Sequence, residues 1–147
     1  MTFANHALAG TIVAASGKNP VLALTLAFAS HYVLDALPHY GYSRGGFGEI
    51  FKHRLSYVVQ LLTLVSIAAL WLVADFGFNI VLLAAIIAVS PDFEWFYRYW
   101  FYERKNLDPP KTRLTVFHQR IQWCERPWGF IFEIVFFIYG LHLLGSI

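Results

Sequence analysis

Residues 55–74 are twenty consecutive positions without a charge, LSYVVQLLTLVSIAALWLVA. As a helix the run is about 30 Å long, which matches the hydrocarbon core of a bilayer. Such a segment is either wrapped by the rest of a soluble fold or surrounded by lipid. The remaining chain is poorly suited to wrapping it. Of 147 residues, 58% are hydrophobic and 14% charged, whereas a soluble domain is about 25% charged. The apolar content excludes a disordered chain. Eleven Lys and Arg against nine Asp and Glu leave a net charge of only +2, with no dense basic patch, so no nucleic-acid partner is expected. Cys124 is the single cysteine, which excludes an internal disulfide and a Cys-based zinc finger. Its thiol reads as packed.

Other apolar runs accompany the first. Residues 128–147 are interrupted only by Glu133 and His142. Residues 78–90 are apolar but short; they either cross a thinned region or are extended by the residues after them. Residues 5–16 and 21–37 read as a helical hairpin turned by Lys18-Asn19-Pro20, with arms short enough for partial insertion. The start of the chain has no basic n-region, so it reads as part of the fold rather than a signal peptide. The expectation is all-α: residues 1–147 as one membrane-embedded domain, a small polytopic helical bundle.

The charges are confined to the connections. Residues 38–54 hold three Lys or Arg and residues 91–127 hold seven, ten of the eleven in all. The positive-inside rule places both segments in the cytoplasm, and a hairpin of 55–74 with 78–90 puts them on one side. Ser90-Pro91-Asp92 reads as the N-cap, N1 and N2 of a new helix. That helix runs FEWFYRYWFYE, eight aromatics in eleven residues, a composition that favours the headgroup level. Residues 106–110 read as a loop and 112–125 as an amphipathic helix ended by Pro127.

Against this background the buried-side polar residues stand out. In Ser30-His31-Tyr32-Val33-Leu34-Asp35-Ala36-Leu37-Pro38-His39, His31 and Asp35 are i and i+4 on one helix face. Pro38 turns the chain out, so His39 can swing back. Imidazole nitrogen with carboxylate oxygen suits zinc and other first-row divalent ions. The alternative is a helix-terminal pair, with Asp35 salt-bridged to an arginine and His31 hydrogen-bonded in the bundle. Topology adds His6 at the start of the hairpin, Asp92 after the third apolar run and His118 in the same basic segment. His6, His31, Asp35, His39, Asp92 and His118 are the candidate metal ligands. Solvation of His6 and a helix-dipole role for Asp92 are the plainer alternatives.

His118, Gln122, Glu125, Gly129 and Glu133 follow a helical spacing. Gln122, Glu125 and Glu133 are candidates to hydrogen-bond the ligand histidines, a helix–helix bond being the alternative for Glu133. Glu94 reads as surface, and His142 has no assigned role. His53-Arg54 reads as an interfacial anchor or a contact to a substrate phosphate. No P-loop, GxGxxG or HExxH is present. The chemistry that the candidate ligands suit is a metal-activated water, with Asp35 or Asp92 as general base.

Asn5-His6-Ala7-Leu8-Ala9-Gly10, Ser30-His31…Asp35…Pro38-His39, Ser90-Pro91-Asp92 and Phe117-His118 together resemble the membrane-bound metal-dependent hydrolases. These are inner-membrane proteins distantly like the zinc-dependent phospholipase C group. The resemblance implies hydrolysis of an ester or phosphoester with a divalent metal, zinc first and Mn or Mg next, in a prokaryotic inner membrane. The His-Arg-Gly…Thr-His-Ser signature of many members is absent; His53-Arg54-Leu55-Ser56 stands in this chain.

Two functions are consistent with these observations. One is an integral-membrane metal hydrolase acting on a lipid-linked or other amphiphilic substrate at the cytoplasmic headgroup level. The other is a non-enzymatic membrane protein, with a structural metal or none, acting through its cytoplasmic face. A transporter fits less well, because its ionisable residues would run through the full depth of the bilayer.

Overall fold

Asn19 turns the chain at its first bend. Its side-chain oxygen accepts hydrogen bonds from the amides of Val21 and Leu22 at 3.0 and 3.2 Å. Pro20 occupies the first turn, where a missing N–H has no intrahelical partner to lose. Helices α1 (Phe3–Ser16) and α2 (Pro20–Asp35) form the hairpin expected from the sequence. The computed structural model describes residues 1–41, 58, 59, 61, 65 and 79–147. Most of the 55–74 run, and His53 and Arg54 before it, lie outside the described residues.

Asn79 repeats the device ahead of α3 (Ile80–Val89), accepting from the amides of Val81 and Leu82 at 2.9 and 3.4 Å. The next segment differs from the sequence reading. Ser90 does not cap a new helix: Ser90–Asp92 form a 3-10 turn that carries α3 into α4 (Phe93–Phe101). The reason is local. Pro91 has no N–H to give the Ile87 carbonyl. That carbonyl instead accepts from the amide of Ser90 and, at 2.8 Å, from its hydroxyl. The helical run Ile80–Lys105 is therefore 26 residues long. The aromatic stretch continues α3 rather than starting a separate interfacial helix.

Thr112 opens α5 (Arg113–Ile121) with a capping box. Its hydroxyl accepts from the Thr115 amide at 3.0 Å, and the Thr115 hydroxyl accepts from the Thr112 amide at 3.2 Å. The chain then makes a two-residue parallel bridge, with β1 (His39–Tyr40) beside β2 (Glu125–Arg126). A turn at Pro127–Gly129 leads into α6 (Phe130–Leu144). Gly129 lies against the β1 backbone; a Cβ there would stand 2.1 Å from the His39 carbonyl. No side chain can be accommodated without moving that strand.

The structure is mostly helical, as the sequence implied. Two described helices, Ile80–Lys105 and Pro127–Leu144, are long and apolar enough to cross a membrane. Among the described residues the helix contacts run through small side chains, whereas large apolar side chains fill the core of a water-soluble domain. Here α1, α2 and α3 meet through Ala14, Ala23, Ala27, Ala84 and Ala88. Gly10 brings α1 so close to α3 that a Cβ would stand 2.5 Å from the Ala84 carbonyl oxygen. Large apolar residues face outward instead, among them Val21, Val33, Val135 and Ile138.

Candidate metal centre

The hairpin places the start of α1 beside the end of α2, and α3 runs alongside so that its end arrives at the same place. His6, on the first turns of α1, stacks on His31 near the end of α2, with ring centroids 3.9 Å apart. Asp35 follows His31 by one turn. Asp92 enters from the 3-10 turn after α3, and His118 from α5. All five side chains are buried. One ligand atom from each of His31, Asp35, Asp92 and His118 lies within 4.8 Å of the others, so this cluster could hold a metal ion.

The separations suit that use. His31 Nε2 is 3.1 Å from His118 Nε2 and 3.3 Å from Asp35 Oδ2. His118 Nε2 is 2.8 Å from Asp35 Oδ2, and His31 Nε2 is 3.7 Å from Asp92 Oδ1. Ligand atoms about 2.0–2.1 Å from a tetrahedral ion stand about 3.3–3.4 Å apart. The orientation of His31 is fixed from behind: its Nδ1 is 2.8 Å from the Ala88 carbonyl oxygen. A carbonyl there accepts from Nδ1–H, which turns the Nε2 lone pair toward Asp35 and His118. The His31 Nε2 lone pair faces His118 Nε2 at 3.1 Å, a contact that needs a proton on His118 Nε2 or a cation between the rings.

His6 supplies the second observation. Neither of its ring nitrogens makes a hydrogen bond, although both are buried. Nε2 lies 3.2 Å from Asp35 Oδ1 and 3.8 Å from Asp92 Oδ2, without hydrogen-bond alignment. Each carboxylate thus presents one oxygen toward His6 and the other toward His31. The Met1 amino group also lies against Asp35. Among the described residues no arginine or lysine pairs with Asp35.

The other sequence candidates fall in three places. Gln122 touches the cluster, its Nε2 donating to Asp35 Oδ2 at 3.2 Å. Glu133 is buried but ties backbone rather than imidazole. Its Oε2 accepts from the Thr2 amide at 2.9 Å and from Asn5 Nδ2 at 3.2 Å, and its Oε1 accepts from the Tyr40 amide at 2.8 Å. It therefore holds the segment before His6 and the strand after His39. Glu125 lies in β2 opposite His39. His39 is buried but is not one of the four clustered ligands; its Nδ1 bonds the Leu37 carbonyl at 2.8 Å. Burial, with the Met1 ammonium adding to it, depresses the His39 pKa to about 4.

Several residues of this region were not singled out by the sequence. Asn5 clamps the Glu133 side chain and also its carbonyl at 3.1 Å; an amide beside a candidate histidine in an apolar helix was the available signal. Glu94 is not simply a surface residue, because it accepts from the hydroxyl of buried Thr115, one turn before His118. Arg98 is buried beside it, with Nε and Nη1 unbonded, Nη1 4.0 Å from Glu94 and the guanidinium 5.4 Å above the Trp95 ring. In the sequence it was one basic residue among seven in its segment.

Comparison with known proteins gives no match to any family model, curated protein or solved structure.

Proposed function

We propose that the protein is an integral-membrane, divalent-metal-dependent hydrolase of an ester or phosphoester, with an amphiphilic or lipid-linked substrate. The observation that carries this reading is the buried convergence of His31, Asp35, Asp92 and His118 beside the unbonded nitrogens of His6. Burying two carboxylates is costly; among the described residues neither has a Lys or Arg partner, the Met1 ammonium lies against Asp35 alone, and a divalent cation would relieve the rest. The mixed nitrogen and oxygen donor set favours zinc, with Mn and Mg as the other candidates. The division of each carboxylate between His6 and His31 suits either one ion with a supporting histidine or a pair of ions.

His31, Asp35, Asp92 and His118 would hold the ion, which when bound would supply a water of lowered pKa and polarise a phosphoryl or ester oxygen. The residues of the chain provide the remainder. His31 is held in one tautomer by the Ala88 carbonyl. Asp35 is committed to His118 and Gln122. Asp92 has its oxygens 3.7 and 3.8 Å from the nearest imidazole nitrogens, beyond hydrogen-bond length, so it is the carboxylate better placed to accept a proton. The distribution of Lys and Arg supports a cytoplasmic face, and the resemblance to inner-membrane hydrolases supports a prokaryotic plasma membrane.

The test is turnover. Detergent-solubilised protein is incubated with phospholipids and prenyl phosphates in the presence of Zn, Mn or Mg, with Asp35→Asn as control. Release of product by the wild type and its loss in the variant are expected. No turnover, or equal release by both, would move the protein to the non-enzymatic reading.

A further inference from the structure

Helix α5 has two opposite faces. Thr115, His118 and, just beyond its end, Gln122 lie on the side of the metal centre. Arg113, Val116, Phe117 and Arg120 recur at i, i+3, i+4 and i+7, which places them on the other side. With Lys111 and Thr112 they line an open groove of about 350 Å³. The groove contains three cations and no acidic side chain. None of Lys111, Arg113 and Arg120 has an ion-pair partner among the described residues. Elsewhere on this segment the cations are spent differently: Arg104 lies 4.8 Å above the Trp100 ring and Lys105 lies 5.9 Å above Phe101.

We propose that this groove binds the phosphate of an anionic lipid headgroup. Three unpaired cations around one opening repel one another, and an anion between them removes the repulsion. Leu114 and Phe117, each about half exposed, give the same helix apolar side chains to place at the acyl boundary, as an interfacial helix does. Membrane-surface phosphates are the anions that present both a charge and an apolar neighbour. Phe117 also packs on Tyr32, at 5.5 Å between ring centroids, and Tyr32 packs at the same distance on His118. A lipid seated in the groove is thus two aromatic rings from the candidate metal centre. The inference does not rest on metal binding, because no groove residue belongs to that centre.

The test is native mass spectrometry of the detergent-solubilised full chain, titrated with phosphatidylglycerol and with phosphatidylcholine. The wild type should bind phosphatidylglycerol in preference. The triple variant Lys111→Gln, Arg113→Gln, Arg120→Gln should lose that preference, at about fivefold per cation. The triple variant Arg104→Gln, Lys105→Gln, Arg126→Gln removes the same charge from exposed positions outside the groove and should keep it. Equal loss in the two variants, or no preference in the wild type, would overturn the site. Displacement of the lipid by millimolar inorganic phosphate would overturn its assignment to a lipid.

Discussion

The three-helix core of this protein has two ends built on opposite principles. From the hairpin turn inward, α1, α2 and α3 touch by Ala14, Ala23, Ala27, Ala84 and Ala88. At one end the same helices bring together His6, His31, Asp35 and Asp92, and His118 joins them from α5. The difference shows what the small residues do. Alanine and glycine bury little apolar area each, so they contribute weakly by transfer. Their value is backbone approach, as in helix pairs within membranes. Because Gly10 lets α1 close on Ala84, imidazoles and carboxylates from three helices reach one point. Among the described residues all but Leu8 of the largest fully buried side chains are polar, so the polar end depends on the geometry set by the alanine end.

The sharpest way to break that dependence is Gly10→Val. In an open helix a β-carbon at glycine is usually favourable. Here it meets the Ala84 carbonyl at 2.5 Å and Ala88 Cβ at 2.8 Å, so α1 must move. We expect a loss of about 3 kcal/mol, read as a lower thermal midpoint in detergent, together with loss of bound metal. Retention of metal in a destabilised variant would uncouple the two ends.

Acidification separates them differently. The ordinary His pKa is near 6.5, and burial holds that of His39 down at about 4. The unfolded chain therefore takes up the proton first. The contribution of His39 is complete above about pH 6.5 and is lost as pH falls toward 4, by about 3 kcal/mol in total. Thermal midpoints of chelator-treated protein across that window should fall more steeply for wild type than for His39→Gln. Parallel slopes would contradict the assignment.

Glu133→Gln probes the tie between the end of the core and its neighbours. The glutamate accepts from Thr2, Asn5 and Tyr40, and an amide turns one of those acceptors into a donor. The expected cost is about 2 kcal/mol, again as a lower midpoint. Gln122→Ala is the mildest change. It removes one donor to Asp35 Oδ2, so metal affinity should fall about tenfold while the thermal midpoint of the metal-free protein stays put. An unchanged affinity would assign Gln122 to packing alone.

The sequence made the local signals readable. Asn19 and Thr112 lie at their helix starts because a cap needs only its own next two or three amides. The i,i+4 spacing of His31 and Asp35 is likewise a property of one helix. What it could not show depended on distant partners. Glu133 was visible as a carboxylate in an apolar run, but its donors come from residues 2, 5 and 40. His39 was grouped with His31 by proximity in the chain, yet its strand pairs with Glu125 and Arg126. Ser90 has the composition of a cap, and only the carbonyl left free by Pro91 makes it a helical residue. Arg98 carried no mark to distinguish it from the exposed cations around it.

Metal content tests the central claim most directly. Purified wild-type protein, dialysed against trace divalent ions and analysed for elements, should carry at least one equivalent of a divalent metal. The double variant His31→Ala, Asp35→Ala should fall to background while its circular dichroism stays helical. Equal metal in the two proteins, or none in the wild type after exposure to Zn, Mn and Mg, would contradict the account.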